Sequence, residues 1–559
     1  MKAIPQLKEL KYLNGRCDVK NIEWIFSVGI DDRIVSAAKR ICESNNNGTK
    51  VYINHGNGND ESYTLDINED NIKISSLGPR GAFYGLMTLK MLKKTSDNMI
   101  NCCHIVDFPD MEYRGFYHDV TRGKVPNLDT LKNLADIMAD YKLNSLQLYI
   151  EHTYEFKEYD FCLDRLGFLT KDEIKELDKY CKDRFIELIP SIATFGHLYH
   201  LLNCDKYKHL CELKNYKPKK NYYIEKMEHH TINPLMDESY NLITSLIDQH
   251  MEAFSSNKFN ICCDETFDLG TDVNKGMDKS ELYVGFVKKL INYLESKGKT
   301  VMMWGDIILK YPERLLDISD KVIFLNWDYA AEPIEKNVAA MKDVTQIVCP
   351  GTSSWEGFHE VTHTEEKNII TLATYGAKYG AKGILNTNWG DLGNPASIAM
   401  GMYGLILGAC VGWNTGTKAN EELKGFISKY HYGCDEALSI LDSLCEYNDY
   451  VSWLVYNWDN RLVKNDSKES FLKAMDNCHS MINKIKNSTF KDEDMRNKFL
   501  LSAEGDSLIV SWNAKKYGHI IKSNVDFNDW ILRYRADWMK ESKKAELDTL
   551  TNMFKDING

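Results

Sequence analysis

Apolar runs and amphipathic stretches alternate through the middle of the chain. After Tyr113, eight apolar runs long enough for buried strands are separated by stretches that carry apolar residues at helical spacing. This alternation predicts an α/β protein built on a (β/α)8 TIM barrel rather than an open doubly wound sheet. No Gly-x-Gly-x-x-Gly follows the first strand, which also weakens a dinucleotide-binding alternative. The predicted strands cover residues 115–118, 145–150, 186–192, 259–263, 301–304, 322–325, 346–349 and 383–385, and the predicted helices between them include 127–141, 171–184, 235–254, 279–297, 364–379 and 395–407.

The pattern differs on either side of the predicted barrel. Short strands at 23–28, 50–53, 63–67 and 71–74 and helices at 32–42 and 80–92 indicate a small N-terminal α+β domain. After Trp413 the strand patterns stop, and residues 436–450, 467–486, 498–515 and 530–554 have helical periodicity. We therefore predict three domains, at 1–110, 111–412 and 413–559, the last one helical. Its tryptophans are expected to be core residues: Trp453, Trp458, Trp512, Trp530 and Trp538.

The composition narrows the choice of partners. The chain has 559 residues, of which 43% are hydrophobic and 27% charged, and its formal net charge is −12. Without a long basic run, this acidic balance argues against nucleic acid and anionic membrane as partners. A proline and several charges interrupt residues 1–15, where a signal peptide needs a continuous apolar stretch, and no segment reaches membrane-spanning length. We expect a cytoplasmic protein, and the sequence does not indicate its oligomeric state.

The fifteen cysteines fit reduced thiols better than disulfides. Their number is odd, the chain is large, and Cys262, Cys263, Cys349 and Cys410 sit in apolar runs. No Cys-x-x-Cys occurs, and the His197-x-x-His200 spacing lacks a nearby second ligand pair. We therefore expect neither a metal nor another cofactor.

Two adjacent carboxylates, Asp264 and Glu265, end the fourth predicted strand. Side chains alternate between the faces of a strand, so neighbouring acids share one pocket only where the strand has ended and the backbone turns. The carboxyl ends of barrel strands are also where such folds keep their active sites. The alternative is a solvated acidic turn, which describes most Asp-Glu dipeptides.

Four tryptophans follow consecutive predicted strands. They are expected to wall one side of a pocket, because a barrel interior prefers Val, Ile and Leu to four indoles in register. Flat aromatic faces with N–H edges suit a sugar ring, whose hydroxyls take hydrogen bonds while its apolar face stacks. These residues are Trp304, Trp327, Trp355 and Trp389.

Three further polar residues are candidates for the same pocket. The first and eighth strands become neighbours when the barrel closes, so Arg114 and Asp391 are expected to converge on two vicinal hydroxyls as donor and acceptor. An ion pair between Arg114 and Asp119 is the competing structural interpretation. His197 follows a glycine at the end of the third strand, where a functional role competes with the more common structural one.

Several of these segments resemble family 20 glycoside hydrolases, the β-N-acetylhexosaminidases. The first barrel segment and the strands before His197 and Glu265 carry the resemblance, and the small domain before the barrel is similar to the one those enzymes have. In combination these motifs are specific, and the resemblance covers residues 50 to 410. The matching stretches are YRGFYHDVTR at 113–122, KLNSLQL at 142–148, PSIATFGH at 190–197, FNICCDE at 259–265 and PRGA at 79–82.

The resemblance implies a role for each candidate. Glu265 would be the general acid/base and Asp264 would orient the 2-acetamido group of the substrate. Arg114 and Asp391 would bind the ring hydroxyls, Trp304, Trp327 and Trp389 would wall the subsite, and His197 would lie beneath. Family 20 belongs to the exceptions among retaining glycosidases in which the substrate's own acetamido oxygen attacks the anomeric carbon. The family's reaction therefore needs no second carboxylate as nucleophile.

Four departures from the family pattern mark a divergent branch. Ala193 replaces a customary acidic residue, and Cys262 and Cys263 replace two glycines. Where the family shows an Asp-Asp pair after the second strand, this chain offers Glu151, His152 and Glu155, of which His152 is carried forward as a substrate-binding candidate. The family's acetamido-binding tyrosine has no clear match in the loop at 350–356. These changes leave the leaving group and the configuration at C4 of the sugar open.

The predicted function is that of an exo-acting retaining β-N-acetylhexosaminidase that releases terminal GlcNAc or GalNAc. The alternatives are an endo-acting or disaccharide-releasing relative on the same barrel, a sugar-binding protein on a decayed enzyme scaffold and, more weakly, a metal-dependent hydrolase. The long segment 198–234 holds Tyr207, Tyr216, Tyr222 and Tyr223 and includes the basic patch 217–220. We predict a lid over the aglycone side there, with a solvated surface loop as the alternative.

Overall fold

The computed structural model describes residues 3–214, 216–217, 222–228, 230–318, 322–457 and 463–558. Its first part is a six-stranded sheet in the order β1-β6-β4-β5-β3-β2, covered by two helices. The helix α2 begins at Pro79, and proline is well suited to a first helical turn. The elements are β1 (Glu9–Asp18), β2 (Ile22–Phe26), α1 (Asp32–Ile41), β3 (Thr49–His55), β4 (Tyr63–Ile67), β5 (Asn71–Ser76), α2 (Pro79–Thr95) and β6 (Met99–Asp107).

Eight parallel strands then form the predicted barrel, in the order β10-β11-β12-β13-β14-β7-β8-β9. Backbone hydrogen bonds between the segment after β9 and β10 close it, since Asn260 N donates to Pro190 O and Ile192 N donates to Asn260 O. The strands are β7 (Tyr113–Asp119), β8 (Ser145–Tyr149), β9 (Glu187–Ile189), β10 (Lys258–Asn260), β11 (Thr300–Trp304), β12 (Ile323–Trp327), β13 (Gln346–Cys349) and β14 (Gly383–Asn388).

The helices around the barrel confirm the predicted periodicity. Side-chain caps define two of their starts, at Asn127 for α3 and in the Thr170/Glu173 capping box of α5. The helices are α3 (Leu128–Asp140), α4 (Leu163–Leu166), α5 (Lys171–Lys182), α6 (Tyr199–Leu202), α7 (Tyr222–Glu228), α8 (Asp237–Met251), α9 (Lys279–Ser296), α10 (Glu335–Ala340), α11 (Thr362–Lys378) and α12 (Met402–Trp413).

The remainder of the chain is helical, as predicted, and packs on the barrel. Residues 541–543, near the end of the chain, lie along the loop that follows β7, where Lys543 N donates to Val125 O at 2.8 Å and Asn127 N donates to Glu541 O at 3.0 Å. The C-terminal helices therefore brace one of the loops at the carboxyl end of the barrel. They are α13 (Glu421–Ile427), α14 (Ala437–Cys445), α15 (Asn448–Val451), α16 (Trp453–Asn457), α17 (Lys468–Asn487), α18 (Glu493–Lys516), α19 (Phe527–Glu541) and α20 (Leu547–Asn558).

The buried residues agree with the sequence interpretation. Four of the five C-terminal tryptophans are buried, at positions 453, 512, 530 and 538, and Trp458 lies outside the described residues. All fifteen cysteines are free thiols. No helix within the described ranges has both the length and the apolar character needed to cross a bilayer.

Candidate active site

The Asp264–Glu265 pair lies at the carboxyl end of β10 on a sharply turning backbone. The strand ends at residue 260 rather than 263. The φ angles of Cys262, Cys263 and Glu265 are 56°, 64° and 47°, in the left-handed region that favours glycine. Left-handed backbone costs a residue with a side chain about 1–2 kcal/mol. The two cysteines therefore adopt the conformation expected of the glycines they replace, and they strain the backbone next to the acids.

Both acids converge on one imidazole. His197 Nε2 lies 3.3 Å from Asp264 Oδ2 and 3.4 Å from Glu265 Oε2. The backbone N–H of His197 donates to Nδ1 of His230 at 2.7 Å, and the two rings stack with centroids 4.7 Å apart. His197 also has a positive φ of 59°, so both the turn and its neighbour fix the ring between the carboxylates. The structure thus brings Asp264, Glu265 and His197 together, as predicted.

The charges around His197 and Glu265 shift the pKa values of these two side chains. Burial opposes a positive imidazole, but the carboxylates of Asp264 and Glu265 outweigh it and raise the pKa of His197 to about 10. Burial likewise opposes ionisation of Glu265, yet the hydrogen bond and charge of His197 lower the pKa of Glu265 below its usual value. Both shifts favour a protonated His197 beside an ionised Glu265 in the free protein.

A third carboxylate completes the acidic cluster. Asp306 follows β11 and accepts a hydrogen bond from the backbone N–H of Glu265 at 3.1 Å. Burial, and then the charge of Asp264, raise the pKa of Asp306 to about 7. Asp306 was not among the residues predicted for the site, although its place two residues after Trp304 was a sufficient signal.

Arg122, not Arg114, meets Asp391. Arg122 Nη1 donates to Asp391 Oδ1 at 2.7 Å, and its Nε lies 3.4 Å from Glu151 Oε1. The guanidinium stands over Tyr149 and Trp389, 5.0 and 5.1 Å from their ring centroids. The Arg122 side chain is 13% exposed. Desolvation opposes its charge, but Tyr149 and the carboxylates of Asp391, Asp119 and Glu151 raise the pKa of Arg122 well above its usual value. Arg122 is permanently charged at this place.

The prediction for Arg114 is wrong. Its side chain is fully buried near the amino end of β7, where it pairs with Glu61 at 2.7 Å and donates to Tyr84 at 3.1 Å. Arg114 therefore joins the N-terminal sheet domain to the base of the barrel. Side chains that follow a strand reach the site, and Arg122 follows β7 whereas Arg114 lies within it.

The four predicted tryptophans form one aromatic wall, and Tyr329 connects them. Trp304 and Trp389 contact each other with ring centroids 5.7 Å apart. Trp389 Nε1 donates to the Tyr329 hydroxyl at 2.7 Å, and the Tyr329 ring contacts Trp327 at 4.9 Å and Trp355 at 5.3 Å. Tyr329 was not predicted from the sequence, although it comes two residues after the end of β12.

His152 does not occupy the place predicted for it. Glu151, its neighbour in sequence, makes the contact with Arg122, while His152 is turned away and buried. Its ring packs against His200 with centroids 4.3 Å apart, and its Nδ1 lies 3.5 Å from Thr121 Oγ1. The acidic residue after β8 that contacts Arg122 is therefore Glu151.

The segment 198–234 packs partly on the C-terminal helices. Tyr223 is buried in an apolar cluster with Trp453 and Leu550, and the Tyr222 hydroxyl donates to Glu546 at 2.9 Å. Most of the predicted basic patch, residues 218–220, lies outside the described residues. The lid remains a prediction.

Comparisons with known proteins support the resemblance along most of the chain. Residues 111–379 match the family model "Glycosyl hydrolase family 20, catalytic domain", and residues 1–108 match "Glycosyl hydrolase family 20, domain 2". The first match spans the barrel strands up to β13, and the second spans the N-terminal sheet domain.

Curated relatives match part of this chain. A beta-hexosaminidase of Vibrio vulnificus is 25% identical over 328 residues, which cover 47% of this chain and 39% of that protein. A beta-hexosaminidase of Porphyromonas gingivalis is 26% identical over 285 residues, covering 44% of this chain and 36% of that protein. The matches thus span well under two thirds of either relative.

Solved structures share the fold. The chitobiase of Flavobacterium johnsoniae has a TM-score of 0.64 at 17% identity, with 99% of both chains covered. The GH20 exo beta-N-acetylglucosaminidase of Vibrio harveyi in complex with N-acetylglucosamine has a TM-score of 0.62 at 17% identity, covering 78% of this chain and 77% of that one.

Proposed function

Because the chain belongs to glycoside hydrolase family 20, we propose that it is an exo-acting retaining β-N-acetylhexosaminidase. It removes a terminal β-linked GlcNAc or GalNAc from a carbohydrate. The observation that carries the proposal is the convergence of Asp264 and Glu265 on His197, beside the Arg122–Asp391 pair and the aromatic wall.

The acid pair divides the chemistry. Glu265 gives a proton to the glycosidic oxygen as the bond from that oxygen to C1 breaks, and the substrate's acetamido oxygen bonds to C1. The resulting oxazolinium ion carries its positive charge next to Asp264, whose carboxylate stabilises it. Glu265 then takes a proton from water as the water opens the oxazolinium ring at C1, which restores the original anomeric configuration.

From the protonation state of the free protein we infer a role for His197. Glu265 is ionised in the free protein and must acquire a proton before it can act as an acid. His197 holds that proton 3.4 Å away, and its pKa of about 10 keeps it loaded at neutral pH. We assign His197 the role of supplying this proton to Glu265 when substrate displaces water from the cluster.

The surrounding residues hold the sugar. Arg122 donates to and Asp391 accepts from two neighbouring ring hydroxyls, and the tryptophan wall covers the apolar face of the ring. Tyr329 accepts a hydrogen bond from Trp389 and can donate its own proton to a further acceptor. We assign Tyr329 the role of hydrogen-bonding the acetamido carbonyl. In the family a tyrosine has this role, and the loop at 350–356 of this chain lacks it.

Hydrolysis of chromogenic β-N-acetylglucosaminide, β-N-acetylgalactosaminide and β-glucoside tests the proposal. The expected result is turnover of one or both acetamido sugars, little turnover of the glucoside, and a β-configured first product by NMR. An α-configured first product contradicts the mechanism. Sugar binding without turnover favours a sugar-binding protein on a decayed enzyme scaffold. Release of disaccharides from a chitooligosaccharide favours a disaccharide-releasing enzyme on the same barrel.

A further inference from the structure

Three side chains from distant parts of the chain meet behind the sugar-binding arginine. His152 follows β8, His200 belongs to α6, and Glu546 immediately precedes α20. Their exposed fractions are 1%, 8% and 3%. One ligand atom from each lies within 4.8 Å of the other two. Two imidazoles and a carboxylate are thereby buried at one point between the barrel and the C-terminal helices.

Two atoms of this cluster are buried without a hydrogen-bond partner among the described residues. They are Nε2 of His152 and Oε2 of Glu546. The other carboxylate oxygen of Glu546 is occupied, since it accepts from Lys226 at 3.0 Å and from Tyr222 at 2.9 Å. An unpaired buried polar atom costs about 1–3 kcal/mol. Two of them on residues whose ligand atoms lie within 4.8 Å of one another point to a ligand that bonds to both.

We propose that His152, His200 and Glu546 bind a divalent transition-metal ion, with Zn²⁺ the best match. Two imidazole nitrogens and one carboxylate oxygen form a donor set that Zn²⁺ takes, with a fourth position for water. Tetrahedral zinc ligands are about 3.4 Å apart given bonds of about 2.0–2.1 Å. Since the three atoms lie within 4.8 Å of one another, they need to draw together by at most about 1.4 Å.

The surroundings of His152 fit this role. Its Nδ1 lies 3.5 Å from Thr121 Oγ1 and 3.9 Å from Glu151 Oε2, so its other nitrogen is directed at the cluster. A carboxylate behind a ligating histidine is a common arrangement that fixes the ring and raises its basicity. Lys226 and Arg165 both oppose a further cation here. Glu546 is the anionic ligand that the site sets against them.

The ion would connect parts of the chain that only tertiary structure brings together. It would join the loops after β8 and β9 to the segment before α20, and through Glu151 it would support Arg122. The site takes no part in bond cleavage, and the proposal does not depend on hydrolase activity.

Zinc binding by the full-length protein tests the site. Protein treated with EDTA and desalted is titrated with Zn²⁺ by calorimetry, and with Co²⁺ as a spectroscopic probe of tetrahedral coordination. We expect one equivalent to bind and the melting temperature to rise. The variants Glu546→Gln and His200→Gln should each weaken binding by roughly tenfold or more.

Two control variants separate this site from other histidines and acids. His209→Gln removes an exposed histidine that contacts Glu238, and Glu265→Gln alters the cluster around His197. Both should bind zinc like the parent. Absence of a one-to-one isotherm overturns the proposal, as does binding that survives Glu546→Gln and His200→Gln or is lost in Glu265→Gln. Circular dichroism of each variant establishes that a loss of binding is not a loss of fold.

Discussion

Arg122 donates to Asp391 at 2.7 Å across the seam where the last barrel strand meets the first. The two residues follow β7 and β14, which pair in parallel from Tyr113 to His118. A guanidinium beside a carboxylate offers donors and acceptors at one place, which is what a pair of neighbouring hydroxyls requires. Closure of the barrel, rather than proximity in sequence, therefore builds this subsite.

The two arginines of the first barrel segment should separate activity from stability. Arg122→Lys keeps the charge but loses the planar fork, so kcat/KM should fall about 100-fold, equivalent to about 2.7 kcal/mol. Arg114→Met removes the buried donor to Tyr84 and to the Met111 and Lys142 carbonyls, so it should lower the free energy of unfolding by about 1–3 kcal/mol. Glu61 keeps its ion pair with Arg80. Urea unfolding and kinetics well below the melting temperature measure both. Similar kinetic losses in the two variants would contradict the assignment.

Arg114 and Arg122 also show how far the site can be predicted from the sequence. Periodicity predicts the barrel because each strand and helix buries one apolar run, whereas β1 is missed because nearly all its side chains are exposed. Arg114 was chosen against the strand-end rule, since it lies within β7. His152 obeys the rule but turns away from the site, because the end of a strand fixes the position of a residue and not the direction of its side chain. Glu546 could not be predicted to approach His152, since 394 positions separate them in the numbering and only tertiary packing joins them.

Replacing the two acids should have different effects on different leaving groups. Glu265→Gln removes the proton donor, so we expect kcat/KM to fall about 10²–10⁴-fold on a poor leaving group and much less on an activated aryl glycoside. Asp264→Asn removes the charge that stabilises the oxazolinium ion, so both substrates should lose activity by about 10²-fold or more. Matched kinetics with 4-methylumbelliferyl and chitobiose substrates measure this. Small, equal losses in both variants would refute the roles.

Removing the Tyr329 hydroxyl should weaken binding of the acetamido group. Burial raises the pKa of Tyr329 well above its usual range, so it is a neutral donor at working pH. For Tyr329→Phe we expect the inhibition constant of a thiazoline mimic of the intermediate to rise roughly tenfold, the loss of one hydrogen bond. Tyr117→Phe is the matched control, because that hydroxyl already bonds Ser191 at 2.9 Å. If Tyr329→Phe binds the mimic as the parent does, another residue holds the acetamido carbonyl.

At position 262, glycine should give a more stable protein than alanine. Both substitutions delete the buried thiol, but only glycine is free of the cost of the 56° φ angle. We expect Cys262→Gly to be more stable than Cys262→Ala by about 1 kcal/mol, measured by urea unfolding. At Cys349, in the regular strand β13, the same pair should have the opposite order, since glycine weakens a strand interior. If alanine gives the more stable variant at both positions, the turn after β10 is unstrained.

Asp306→Asn should change how stability depends on pH. The pKa of Asp306 is about 7 in the folded protein against 3.8 as its ordinary value, so between these values the folded state holds a proton that the unfolded chain releases. The contribution of Asp306 to the free energy of unfolding therefore falls as pH rises from about 4 to about 7, by at most about 1.4 kcal/mol for each pH unit. Asparagine cannot ionise, so the variant should gain stability relative to the parent at pH 8 compared with pH 5. Asp317→Asn is the control. The hydrogen bond from Arg314 lowers the pKa of exposed Asp317, so loss of this carboxylate should leave the slope above pH 5 unchanged. If the free energy of unfolding depends on pH in the same way in the parent and in Asp306→Asn, then Asp306 does not hold the proton of the acidic cluster.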